Sequence, residues 1–255
     1  MWRGQITAHA IKDKIYDMGM TLLKGFNREE CATVFHEYLK NHPENSFAHW
    51  VISYCHGADY NMYGKIYETI REDSNWPSIK IALKHSCLAV ENQIDNNVWK
   101  VIYEASKIRF ENKNLQLYAS YLQKNLSSFT KNDPIIYAVE AESLMLLEPW
   151  NLWNQKSMQP TENARKVKKI LDEGLYKFPN DEWLCHLKVH FCEMGPKDQF
   201  DFSVLPILEK SINGHLRHMP SHLYIQIGEY DKSIELNKQA ILLDQVHRCI
   251  SKSSL

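Results

Sequence analysis

The sequence predicts an all-α fold, a right-handed superhelical solenoid of antiparallel helix hairpins, on three observations. Apolar residues recur at helical spacing along most of the chain, and the periodic stretches are separated by a recurring Asn/Asp and Pro punctuation. Only nine glycines and nine prolines in 255 residues leave few turns for a β architecture. That length suits five or six stacked helix pairs, read here as a single helical-repeat domain over 1–255.

The first hairpin is carried by Ile11, Ile15, Met18 and Leu22, then by Cys31, Val34, Phe35, Tyr38 and Leu39 after Gly25-Phe26-Asn27. Asn41-His42-Pro43-Glu44-Asn45 closes it because proline cannot continue a helix, and Ser46 is the expected cap of the next helix, up to about His56. The same punctuation returns at Lys131-Asn132-Asp133-Pro134, before a helix expected over Ile135 to Leu147. It returns again at Phe178-Pro179-Asn180-Asp181, before one over Glu182 to Glu193. Pro43, Pro134 and Pro179 stand close to two repeat periods and one apart. The period exceeds the roughly 34 residues of a minimal tetratricopeptide unit, so inserted turns fill the excess. In Gly228-Glu229-Tyr230-Asp231-Lys232-Ser233-Ile234 the glycine permits a tight interhelical turn, the tyrosine is expected to pack across it, and a small residue lets the helices approach. The last helix then runs to about Leu243, with a frayed end from His247. Irregular stretches are expected over 59–76, 148–160 and 195–202, the second burying Trp150 and Trp153 or setting them against a ligand.

A net charge of −1 gives no reason to expect nucleic acid or an anionic membrane as partner, and the basic run Arg165 to Lys169 reads as a solvated helix face. Six cysteines without a Cys-x-x-Cys pair read as reduced thiols of a cytoplasmic protein; the amino terminus lacks the apolar stretch of a signal peptide.

Chemistry concentrates in two histidine blocks. His186, His190 and Glu193 fall at i, i+4 and i+7 along one stripe of a helix. In Gly214-His215-Leu216-Arg217-His218-Met219-Pro220-Ser221-His222 the proline suits a first helical turn, with His218 at the helix entrance and His222 inside it. Neighbouring hairpins of a solenoid turn equivalent faces to one groove, so His186, His190, Glu193, His215, His218 and His222 are expected to share a pocket. The donor set suits copper, iron or zinc. His9, His36, His42, His49, His56, His85 and His247 read instead as hydrogen-bonded core residues, and Cys185 and Cys192 as inert thiols. No glycine-rich phosphate loop, dinucleotide fingerprint or nucleophile elbow occurs.

The stretch from Ala48-His49-Trp50 through Tyr54 to Asn61 belongs with three others: Ala141 to Met145 with Pro149-Trp150-Asn151-Leu152-Trp153, the His186/His190/Glu193 helix, and His215 to His222 with Gly228 and Tyr230. Through these the chain resembles a family of tetratricopeptide-repeat (TPR) domain proteins carrying HxxxHxxE and HLxHMPSH motifs, over roughly positions 46 to 245. The resemblance implies a TPR solenoid with a histidine-rich inner surface and attaches no reaction to it. The chain departs from the family where Cys185 replaces a frequent asparagine. Helices that follow the final hairpin in relatives are missing after Leu255, so a domain shortened at its carboxyl end is expected.

Two functions remain open on these residues. One is an interaction module whose histidine-rich concave groove takes a protein or peptide partner, or a small molecule at the histidine pocket. The other is a metal-dependent enzyme using the histidine cluster, hydrolytic with Glu193 as base or oxidative with copper or iron.

Overall fold

The computed structural model describes residues 14–61, 77–93 and 97–253, with side chains through Val246. The expectations for Ile11, His9, His247 and most of 59–76 lie outside that set. The described residues are helical, apart from turns and one isolated bridge between Trp153 and Pro160. They form two compact units, residues 1–130 and 131–255.

In the first unit α1 (Lys14–Lys24), α2 (Arg28–Asn41), α3 (Ser46–Cys55), α4 (Pro77–Glu91), α5 (Val98–Asn112) and α6 (Leu115–Leu126) each pack against their neighbours in the chain, and α3 also touches α5. This is the packing expected of successive hairpins. The α1–α2 turn is held by Phe26 at φ +58°, and Gly19 lets the Phe35 ring approach α1 so closely that a methyl group there would meet it at 2.5 Å. Asn45, rather than Ser46, caps α3, accepting from the Ala48 amide. Asn97 and Asn114 do the same for α5 and α6. An amide oxygen one residue before the helix satisfies one of its orphan N–H groups, which is why this position matters more than the first helical serine.

The second unit contains α7 (Pro134–Met145), α8 (Glu162–Lys177), α9 (Glu182–Glu193), α10 (Leu205–Leu208), α11 (Gly214–His218), α12 (Ser221–Gln226) and α13 (Tyr230–Ser253). Helices α7, α8 and α9 pack mutually, α12 lies on α9, and α11 and α12 both lie on α13. Every residue of α9 from Trp183 to Glu193 is buried. A helix enclosed on all sides must find partners for each polar group it carries. Lys188 accordingly reaches Asp172 on α8 at 2.5 Å. The loop after α7 docks on α9 through Trp153, whose indole N–H donates to the Phe191 carbonyl at 2.7 Å. Trp150, expected to be buried, is 38% exposed.

Three local expectations change. His218 ends α11 instead of opening the helix that contains His222, because Asn213 caps a separate short helix before Met219-Pro220. Tyr230 is exposed, and the interhelical turn is made by Gly228 at φ +86° with Ser233 buried against α12. Helix α13 continues through the segment read as frayed, to Ser253. The basic run on α8 is a solvated face as expected, its lysines 166, 168 and 169 pairing with acids one turn on or back. Among the described residues, no helix is long and apolar enough to cross a membrane.

Asp181 starts the central helix by accepting from the amides of both Trp183 and Leu184. Replacing it with alanine is expected to lower the stability of the second unit by about 1 kcal/mol, seen as a lower urea midpoint and faster hydrogen exchange at those two amides. An unchanged midpoint contradicts this account of the helix start.

Candidate metal centre

Helix α9 presents His186 and His190 one turn apart and Glu193 one turn further, all pointing toward the short helices α11 and α12. Two contacts hold those helices in place. Gln226 donates from its amide to the Glu193 carbonyl at 2.8 Å, closing α12 on the end of α9. Arg217 donates to the Ser211 carbonyl and to Gln239 on α13, fixing α11.

All six side chains singled out in the sequence meet, in one connected line. His215 Nε2 lies 3.2 Å from His186 Nε2, and that atom lies 3.0 Å from His190 Nε2. The other nitrogen of His190, Nδ1, is 2.6 Å from Glu193 Oε1, and the second Glu193 oxygen engages His222 Nδ1. His222 Nε2 then faces His218 Nε2 at 2.8 Å, and His218 Nδ1 ends the line on Asn237 Oδ1 at 2.6 Å. His186 and His190 are fully buried, whereas His215, His218 and His222 are partly buried, His222 with 25% of its side chain exposed.

The hydrogen bonds fix the tautomers. Burial alone would raise the Glu193 carboxyl, but the His190 and His222 hydrogen bonds and their charge outweigh it and bring its pKa down to about 2. An ionised carboxylate only accepts, so His190 and His222 both carry a proton on Nδ1. Asn237 is oriented by donating its amide N–H to the Ser233 carbonyl at 2.8 Å, which leaves its oxygen toward His218. His218 therefore also donates from Nδ1. Burial lowers the His218 pKa, opposed by this bond to Asn237 and helped by the charge of His222. Burial, with the charges of His190, His218 and His222, also lowers the pKa of His215, to about 3, so its imidazole is neutral at physiological pH.

The result is a pocket of three imidazole nitrogens. Ligand atoms of His186, His190 and His215 lie within 4.8 Å of one another. Tetrahedral coordination with metal–nitrogen bonds near 2.0–2.1 Å separates its nitrogens by about 3.3 Å, close to the two shorter gaps here. Trp150 sets its ring edge-on to His190 at 5.9 Å and walls that side. One residue was missed from sequence: Asn237, whose place beside His218 depends on how α13 packs and leaves no spacing signal.

The other expectations fare unevenly. His49 is buried and its Nε2 donates to the Pro43 carbonyl, whereas His36 and His42 are exposed and their rings contact His85 and Tyr38. Cys185 and Cys192 are buried, with the Cys192 thiol pushed up to about 11 by burial, which suits inert thiols.

No protein-family model matches the chain, and no curated protein does. Among solved structures it is similar to the C-terminal part of a TPR repeat-containing protein from Cytophaga hutchinsonii. The TM-score is 0.40 at 13% identity, over 90% of this chain and 95% of that one. A likeness of that degree transfers no residue role.

Acid should weaken the metal-free protein in a way traceable to the cluster. His215 titrates near 3 in the fold against an ordinary 6.5, so its contribution to stability is complete above pH 6.5 and is lost as pH falls toward 3. Glu193, near 2 against 4.5, adds a loss between 4.5 and 2. Urea midpoints measured across this range are expected to fall more steeply below pH 6.5 for the wild type than for His215→Gln. Parallel curves would contradict the assigned neutrality of His215.

Proposed function

We propose that this helical-repeat protein binds a transition metal through His186, His190 and His215, and that the metal is what the buried cluster is built to hold. The observation that carries the reading is the convergence of three Nε2 atoms inside the protein, one of them with its tautomer fixed by a carboxylate. A histidine ligand whose far nitrogen donates to a carboxylate is oriented and made more basic, and His190 on Glu193 has that arrangement. Glu193 then acts as the orienting acceptor for His190, since both of its oxygens are engaged by imidazole N–H groups.

Three imidazoles with a remaining open position suit zinc, copper or nonheme iron. Such an ion supplies a Lewis acid, or with copper or iron a redox centre. The protein's own part is to hold three imidazole donors in fixed orientation and to keep Glu193 ionised beside them. The interaction-module reading has separate support on α13, where Ile234, Ile241, Leu242 and Val246 are exposed and offer an apolar face to a protein partner.

The test is elemental analysis of the untagged protein, with zinc titration of the metal-stripped form. Wild type is expected to retain metal that His190→Ala loses while keeping its circular dichroism. Glu193→Gln, which spares the three imidazoles, is expected to weaken zinc binding at this pocket by about 10- to 100-fold. No stoichiometric metal in the wild type under any loading condition would sink the proposal.

A further inference from the structure

We propose that His218 and His222 form a second metal position beside the first, so that the cluster is a two-ion centre whose two halves are tied together by Glu193. This deepens the metal-binding reading above and rests on it.

The argument starts from an inconsistency in the hydrogen bonds. Two neutral imidazoles in contact normally pair as N–H donor and lone-pair acceptor. As neutral rings His218 and His222 cannot, because each then has one N–H and commits it elsewhere. His222 donates from Nδ1 to Glu193, and His218 donates from Nδ1 to Asn237, whose amide is held the right way round by Ser233. Their Nε2 atoms nevertheless face each other at 2.8 Å. Two lone pairs at that distance repel, so a proton or a metal ion must lie between or beside them.

A second histidine pair in the chain shows the contrast. His49 donates from Nε2 to the Pro43 carbonyl and turns Nδ1 to His85 Nδ1 at 2.9 Å. There His85 can place its proton on Nδ1 and complete an ordinary N–H···N bond, so that pair needs no ion. The difference between the pairs lies in Asn237 and Glu193, which take from His218 and His222 the protons that would otherwise let them bond.

The chemistry of the position follows from its donors. Two imidazole nitrogens suit zinc, copper or iron, and separating them to about 3.3 Å requires only a small opening of the pair. His222 is 25% exposed, so remaining coordination positions can be filled by water or by a ligand from solvent. The rings of His190 and His222 are 6.1 Å apart, as are those of His215 and His218, which sets the two positions side by side. Glu193 accepts a hydrogen bond from a ligand of each position. Its one negative charge therefore offsets part of the charge of both ions.

The experiment is zinc stoichiometry on the full, untagged chain after metal stripping, by elemental analysis following equilibrium dialysis, with cobalt(II) spectra as a second readout. Two equivalents are expected in the wild type, one in His218→Ala and one in His215→Ala, with different cobalt spectra for the two single-site forms. Asn237→Leu leaves every imidazole in place but frees the His218 tautomer, and is expected to weaken the second equivalent by at least tenfold while sparing the first. A wild type that takes one equivalent, kept in His218→Ala and lost in His215→Ala, overturns the second position and leaves the first standing; the pair then shares a proton instead. Two equivalents persisting in both His218→Ala and Asn237→Leu also overturn it. A wild type that takes none overturns both readings together.

Discussion

The arrangement depends on one buried carboxylate. Glu193 closes the central helix α9 and accepts from His190 on its own helix and from His222 on α12. Removed from water, a carboxylate is costly unless its oxygens are hydrogen-bonded, and a buried imidazole is costly unless its N–H is. Each meets the other's requirement here. The same contacts place the remaining imidazole nitrogens, because a ring with one end pinned has little freedom at the other. Local helix geometry, the docking of α12 and the direction of two imidazole nitrogens therefore depend on one side chain.

The cluster as a whole is a line of polar groups in which acceptors are supplied from outside the imidazoles. Glu193 and Asn237 draw the protons to the Nδ1 atoms of three rings, and the Nε2 atoms are left facing one another. An arrangement that only filled the core would distribute donors and acceptors evenly, as the His49–His85 pair can. Burial adds to this at His215 and His218, whose imidazolium forms it disfavours. The fold thus turns these nitrogens toward one another, which under the proposed function is the direction a metal ion requires of its ligands.

Much of this was legible in the sequence, for identifiable reasons. The helical class followed from periodicity, and the meeting of His186, His190 and Glu193 on one stripe followed from 3.6 residues per turn. The second histidine block was legible as a group because Pro220 and the turn at Gly228 confine it to short helices. What the sequence did not show was decided by tertiary contact. Asn237 lies beside His218 only because α13 passes α11 and α12 in a particular register, and nothing in its own helix marks it. The division of the second block into two helices turned on Asn213 as a cap, and Tyr230 was misplaced because a glycine turn needs no aromatic to close it. His186 and His190 are fully buried because α9 is covered on every side, a property of the whole unit.

Gly214 looks incidental, being the first residue of a five-residue helix and carrying no polar side chain. Yet a methyl group there would lie 2.9 Å from the Ala240 carbonyl of α13 and would also strike the Asp244 carboxylate. The missing side chain is what lets α11 lie flat on α13, and Asn237 rides on the same face of α13 that touches the histidine block. The spacing between these two helices therefore works as a gauge. Anything that thickens it by a fraction of an ångström lengthens the reach from Asn237 to His218, and the proton of that ring is then free to move to the other nitrogen. Variation at a position with no donor atom can in this way rewrite the chemistry of a ring four residues away, leaving every histidine in place.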